Sequence, residues 1–358
     1  MRIRFCNSQR GIAIIIVMMV ILVLGILAGG FAYSMKVETK LARNAGHESE
    51  LEWLGRSGVE LARYVLGISM TVPNEGNYDA LNQKWAGGPM GTNEILASIS
   101  LENVELGRGK FTVKIVDLER KMNINVADDA ILRQALTLMS VNAVEMSPIS
   151  DAIRDWIDPD DNTLLNGAES DYYLGIKPAY EAKNGPIDDL SELLLIRGIS
   201  PEMYWGPAAT NRFVPVHTGP LSRMHADDFP TYSVGFVDLF TPISQRSLNP
   251  NTASAQALQL IPGLDETTAQ AIITARAGPD GVDGTEDDTP FRNAGELPMR
   301  VPGFSGVAPG SLGGIFNTRS VTFQVTVTAQ IDDHKADWVA ILVRANPRDI
   351  KVVSMYKK

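Results

Sequence analysis

The stretch that decides the fold is Arg10-Gly11-Ile12-Ala13-Ile14-Ile15-Ile16-Val17-Met18-Met19-Val20-Ile21-Leu22-Val23-Leu24-Gly25-Ile26-Leu27-Ala28-Gly29-Gly30-Phe31-Ala32-Tyr33-Ser34-Met35, in which no charge follows Arg10 until Lys36. From Ile12 to Met35 a helix would measure roughly 36 Å, enough to cross a hydrocarbon core of about 30 Å. The run is long for a secretory signal, whose apolar core is about 7–15 residues, although Ala28, Gly29 and Gly30 imitate a cleavage site. Arg2, Arg4 and Arg10 precede it, and Lys36, Lys40 and Arg43 follow, so the charge asymmetry is modest and favours a cytoplasmic start.

The helical pattern continues past Met35. Val37, Leu41, Ala45, Leu51, Leu54, Gly58, Leu61 and Val65 keep three- and four-residue spacing, and no proline appears before Pro73. A single helix from Ile12 to about Leu66 would be roughly 80 Å long, half of it in lipid and half laying an apolar stripe on a folded domain. The alternative is an anchor followed by a separate amphipathic helix. The rest of the composition narrows the field. At 358 residues and a net charge of −10, the chain is large enough for real cores and lacks the basic face that phosphate binding needs. Its one cysteine, Cys6, excludes an intrachain disulfide and a cysteine-based zinc site.

A short basic leader ending in Arg10-Gly11, followed at once by an apolar run that becomes amphipathic, resembles type IV pilins and pseudopilins. The resemblance implies that a prepilin peptidase cuts after Gly11, leaving a mature chain that begins at Ile12, N-methylated, with Cys6 removed. Most such subunits carry a glutamate at the fifth mature position; here that position is Ile16. A carboxylate in lipid is tolerated when it meets a positive charge, which in a growing pilus is the terminal amine of the neighbour assembled before it. A subunit without the carboxylate has no such neighbour to neutralise, so Ile16 marks a tip position. Among pseudopilins this absence points to the large minor member, the general secretion pathway protein K family of type II secretion.

Further along, 71–91 is rich in Gly, Pro and Asn and reads as a loop. Gly109 to Asp117 alternates with period two, as do Ser320 to Gln330, Trp338 to Arg344 and Ile350 to Tyr356. Asp332-Asp333-His334-Lys335 would turn the first two C-terminal strands into a hairpin. Strand-like sequence thus brackets a helical middle, which predicts an α+β fold: a pilin-like long N-terminal helix on an antiparallel β-sheet, with a large inserted, mainly α-helical domain. The expected segments are a leader (1–11), a transmembrane helix (12–35), an amphipathic helix with the first part of the sheet (36–125), the insert (126–314) and closing strands (315–358). Leu190 to Pro201 and Leu258 to Arg276 each read as helix, Gly turn, helix, and the second resembles a helix-hairpin-helix motif. Asp265 stands where that motif's second glycine would let a phosphate approach, so both segments are read as packing units and no nucleic acid is expected. Landmarks resembling the protein K family, in order, are Met122-Asn123-Ile124-Asn125, Asp155 to Asp161, Gly167 to Tyr173, Glu192 to Ile199 and Asn249 to Ala253.

Asp158, Asp160, Asp161, Glu169 and Asp171 concentrate hard oxygen ligands of the kind that Ca²⁺ takes six to eight at a time. The spacing is not that of an EF-hand, and an acidic loop of turn formers and helix caps is the competing reading. Asp280, Asp283, Asp287 and Asp288, set among glycines, form a second candidate. The family resemblance also implies calcium in the helical domain. His47, His217, His225 and His334 share no metal-binding spacing; a zinc site from His217 and His225 with Asp227 and Asp228 is the weaker reading. With no catalytic motif in view, a non-enzyme is expected.

The resulting expectation is a minor pseudopilin at the tip of the type II secretion pseudopilus. It would be a single-pass inner-membrane protein with its globular part in the periplasm. Its partners would be other minor pseudopilins, the prepilin peptidase and, by extension, the secretion channel or cargo. Two rivals remain: a minor pilin of a DNA-uptake pilus, and a membrane-anchored periplasmic enzyme.

Overall fold

The computed structural model describes residues 10–73, 75–89, 94–208, 232–304 and 306–358; residues 1–9 of the expected leader, and His217, His225, Asp227 and Asp228, lie outside them. One unbroken helix, α1 (Arg10–Ser69), runs roughly 90 Å. Residues 13–42 are exposed on every side, and from Leu51 onward one stripe goes under cover: Leu51, Leu54, Val59, Ala62, Val65 and Leu66. The single-helix reading therefore holds over that of an anchor plus a separate helix. Nothing in the sequence breaks it: proline is absent, and the apolar residues keep one face.

The stripe lies on a five-stranded antiparallel sheet of order β1-β2-β5-β6-β7. Its strands are β1 (Val104–Leu106), β2 (Gly109–Asp117), β5 (Thr322–Ile331), β6 (His334–Asn346) and β7 (Asp349–Lys357). A parallel two-stranded pairing, β3 (Met122–Asn123) with β4 (Phe240–Thr241), stands apart. Alternation does the work: Phe111, Val113 and Ile115 of β2 and Phe323, Val325, Val327, Ala329 and Ile331 of β5 all face α1. Glycine sets the helix height. A Cβ on Gly58 would stand 2.5 Å from Val327 Cγ1, and one on Gly55 would run into the Trp338 ring.

β2 and β5 are neighbours, paired from Lys110↔Gln330 to Asp117↔Phe323, although the whole segment 118–321 lies between them in sequence. That segment builds a second core of its own, reaching from Met122 to Phe316 and filled by Trp156, Tyr173, Phe236, Phe240 and Phe291. Beyond the short helix α2 (Glu94–Ser98), which precedes the sheet, the longer helices are those of this segment, α3 (Asp129–Leu138), capped by Asp128, and α4 (Ala143–Ile157), capped by Asn142. The expected helix-turn-helix segments are both present in altered form. Leu190–Leu195 is a 3₁₀ helix with a capping box from Asp189 and Glu192, turned at Gly198 (φ +85) into the short helix Pro201–Trp205. So few residues between a cap and a left-handed glycine suit the tighter helix. The second turns at Gly263 (φ +91) into Glu266–Arg276. At the hairpin end only Asp332 and Asp333 form the turn, and His334 and Lys335 already belong to β6.

The two cores meet at a buried polar joint. Asn249 Nδ2 donates to Asp79 O (3.1 Å), Asp117 Oδ2 (3.1 Å) and Ser320 Oγ (2.8 Å), and Thr252 Oγ1 donates to Asp117 Oδ2 at 2.6 Å. The Glu119 carboxylate accepts the amides of Gln245, Val321 and Thr322. Asp79 is ion-paired with Arg344, both fully buried. Burial, with the Asp117 carboxylate second, pushes Glu119 up to about 8.

Candidate functional site

The acidic cluster of the insert is assembled by α4 and the loop behind it. Asp151 and Asp155, four residues apart, share one helix face, and Asp158 is the residue that ends the helix. The loop folds back over them: Asp155 accepts the Leu164 amide (3.2 and 3.3 Å), and Asp151 Oδ2 accepts both the amide (3.3 Å) and the side-chain nitrogen (3.2 Å) of Asn166. A Cβ on Gly167 would collide with the Asp155 carboxylate, so glycine is what lets the loop come this close. Glu169 then precedes the short helix Ser170–Leu174 and turns its carboxylate inward.

Glu169 is 3% exposed, and neither of its side-chain oxygens has a donor. Asp158 Oδ1 and Asn184 Oδ1 are buried without a partner as well. Burial raises Glu169 to about 7, with the charges of Asp155, Asp158, Asp161 and Asp160 adding to the effect. Burial, with smaller repulsion from neighbouring aspartates, also raises Asp155 and Asp158. Asn184 Nδ2 reaches Asp161 Oδ1 (2.8 Å), while Asp160 Oδ1 is occupied by Asn162. Four buried acceptor oxygens without donors in one acidic pocket are costly unless a cation meets them. Hard oxygen donors in a flexible loop are the set that Ca²⁺ uses. Among the described residues, no three His, Cys, Asp or Glu side chains converge on one ligating point.

Of the predicted ligands, Asp158, Asp160, Asp161 and Glu169 are gathered here, whereas Asp171 is exposed on the short helix. Asp155, Asp151 and Asn184 stand outside the ligand set that carboxylate density predicts. The four-residue spacing of the two aspartates on a helix was the available signal; Asn184 arrives only through the fold. The second acidic loop is organised differently. Asp283 clasps the buried Arg276 guanidinium (2.9 and 2.6 Å). Asp280 accepts the Val282 amide, Asp287 that of Asp280, and Asp288 those of Gly284 and Thr285. Its carboxylates already have donors, so it fits a cation less well than the Glu169 pocket.

At the helical hairpin, Asp265 caps Glu266–Arg276 by accepting the Thr268 amide at 2.8 Å, which occupies a group that a phosphate would need. Along α1, Ile16 lies in the exposed apolar stretch, and the first acid of the helix is Glu38. The helix is long and apolar enough to cross a membrane.

A membrane-length helix continuing onto a pilin-like antiparallel sheet, with a helical domain inserted between two of its strands, defines a minor pseudopilin. Residues 109–206 match the family model described as type II secretion system (T2SS), protein K. The chain is 26% identical to type II secretion system protein K of Pseudomonas aeruginosa, over 97% of this chain and 92% of that one. With the Klebsiella pneumoniae protein of the same name it shares 23% over 76% of each chain, and with that of Aeromonas hydrophila 26% over 56% of this chain and 62% of that one. In fold it resembles a chain of the GspK–GspI–GspJ complex from the enterotoxigenic Escherichia coli type 2 secretion system (TM-score 0.61, 18% identity, 88% of this chain and 99% of that one). These matches support the type II secretion system protein K family as the one this chain is similar to, in the Pseudomonas aeruginosa relative along nearly its whole length.

Proposed function

We propose that the chain is the tip subunit of the pseudopilus and acts by assembly rather than by catalysis. The observation that carries this is α1 itself: an apolar, uncovered half available to lipid or to sister helices, and a second half fixed under a sheet whose strands are parted by a bulky insert. A domain of that width between β2 and β5 is easier to place at the end of a helical stack than within it. Ile16 supports the same position, since it brings no acid that a preceding subunit must neutralise. The Escherichia coli complex contains GspI and GspJ beside GspK, which supports two other minor pseudopilins as partners here. In this reading the peptidase cuts between Gly11 and Ile12, the apolar half sits in the inner membrane, and the globular part faces the periplasm.

We also propose that the Glu169 pocket holds calcium, with Glu169, Asp158, Asp161, Asp155 and Asn184 as the groups that would supply oxygens. The ion would neutralise a like-charged cluster and tie the loop after α4 to the core; water and small side-chain rotations would complete its shell.

The functional test is purification from native membranes. The expected result is a mature chain starting at Ile12, recovered in equal amounts with two smaller pilin-like subunits and far scarcer than the major one. An uncleaved leader in actively secreting cells, or amounts matching the major subunit, would sink the tip assignment.

A further inference from the structure

We propose that His47 and His334 form a two-imidazole site for a divalent transition metal of the zinc class, on the seam between α1 and the β5–β6 hairpin. The chain has four histidines, and the fold brings these two together from opposite ends of the sequence. His47 lies on α1 one turn before Leu51, the first buried residue of the helix stripe, and His334 is the first residue of β6, directly after the Asp332-Asp333 turn. Their ring centres are 5.0 Å apart and the planes are inclined by 36°. A metal at the usual 2.0–2.1 Å from an imidazole nitrogen stands about 3.2 Å from the ring centre, so two rings on one tetrahedral ion have centres about 5 Å apart. The pair has that separation before any ion is considered. His47 Nδ1 is also buried without a hydrogen-bond partner, an acceptor or donor position the protein itself leaves unused.

Glu48 is engaged by Lys357 (2.7 Å), and Glu50 is paired with Arg108, so the two carboxylates next along α1 are already held by cations. Imidazole nitrogen suits zinc, nickel and copper, whereas calcium prefers oxygen, so the site is chemically distinct from the Glu169 pocket. A metal here would pin α1 to the hairpin just above the stretch of helix that carries no cover.

The test uses the full-length protein in detergent with calcium present in excess, titrated calorimetrically with zinc chloride. One equivalent should bind at neutral pH, and binding should fall at least tenfold at pH 5, because protons compete for imidazole nitrogen. His334→Gln and His47→Gln should each weaken uptake at least tenfold, and zinc should raise the unfolding temperature of the wild type but not of His334→Gln. A His217→Gln/His225→Gln variant should bind like the wild type. No uptake by the wild type, uptake unchanged in His334→Gln, or uptake lost only in the His217→Gln/His225→Gln variant overturns the proposal. His334 is exposed at the start of β6, so its variant remains informative even if His47→Gln disturbs the helix.

Discussion

Glu169 shows how one residue links charge, burial and ligand. In the metal-free protein its carboxyl stands at about 7 against an ordinary 4.5, because burial and the surrounding aspartates disfavour the charge. A raised value means that the native state keeps a proton the unfolded chain has released. Glu169 therefore contributes stability at low pH, and this contribution drains away as pH rises from about 4.5 through 7. Calcium reverses the trend, since it needs the carboxylate. With chelator the unfolding midpoint should fall across that window; with excess calcium it should rise, and at pH 7.5 the two curves should differ by several degrees. Glu169→Gln should flatten the metal-free slope and abolish most of the gap. If chelation leaves the midpoint unmoved and metal analysis finds no calcium, the pocket is only a strained acidic loop.

At the scale of the element, α1 is decided by two opposed demands. Over residues 13–35 it needs apolar surface on every side, and over residues 51–66 it needs a single stripe narrow enough to approach a sheet. Gly58 meets the second demand at some cost in helix propensity, which for glycine is about 1 kcal/mol relative to alanine. Gly58→Val would press two methyl groups onto Val327, and overpacking of this kind costs about 1–3 kcal/mol. The expected result is a midpoint several degrees lower, with far-UV circular dichroism unchanged, because the helix survives while its seat is lost. A variant as stable as the parent would mean that the helix is held elsewhere.

For the whole molecule, the decisive place is the joint where the insert leaves the sheet. Arg344 and Asp79 are buried together, and Asn249 ties the insert to Asp117 and Ser320. Replacing Arg344 with Met strands the Asp79 carboxylate, a change that typically costs about 3–5 kcal/mol. Asp79→Asn/Arg344→Met should recover a good part of that loss in thermal unfolding; if the single variant is neutral, the pair does not carry the joint. Glu119 at about 8 adds a second loss of stability as pH rises from about 4.5 through 8, one that calcium does not relieve. Glu119→Gln should remove that part of the alkaline decline.

What the sequence determined by itself was everything with a period or a run: the long helix, the four longer strands of the main sheet and the order strand, insert, strands. Periodicity survives translation into structure because each side chain's face is fixed by its place along the chain. It also located the acidic segment, since carboxylate density is a local property. The three- and two-residue strands β1, β3 and β4 were not legible, because they are too short to alternate. Only the tertiary structure decided which acids meet, putting Asp155 beside Glu169, Asn184 against Asp161, Asp283 against Arg276 and Asp171 in solvent. The same holds for His47 and His334, which nothing in their spacing connects. Contacts between residues far apart in the chain depend on how two cores dock, and no local pattern encodes that distance.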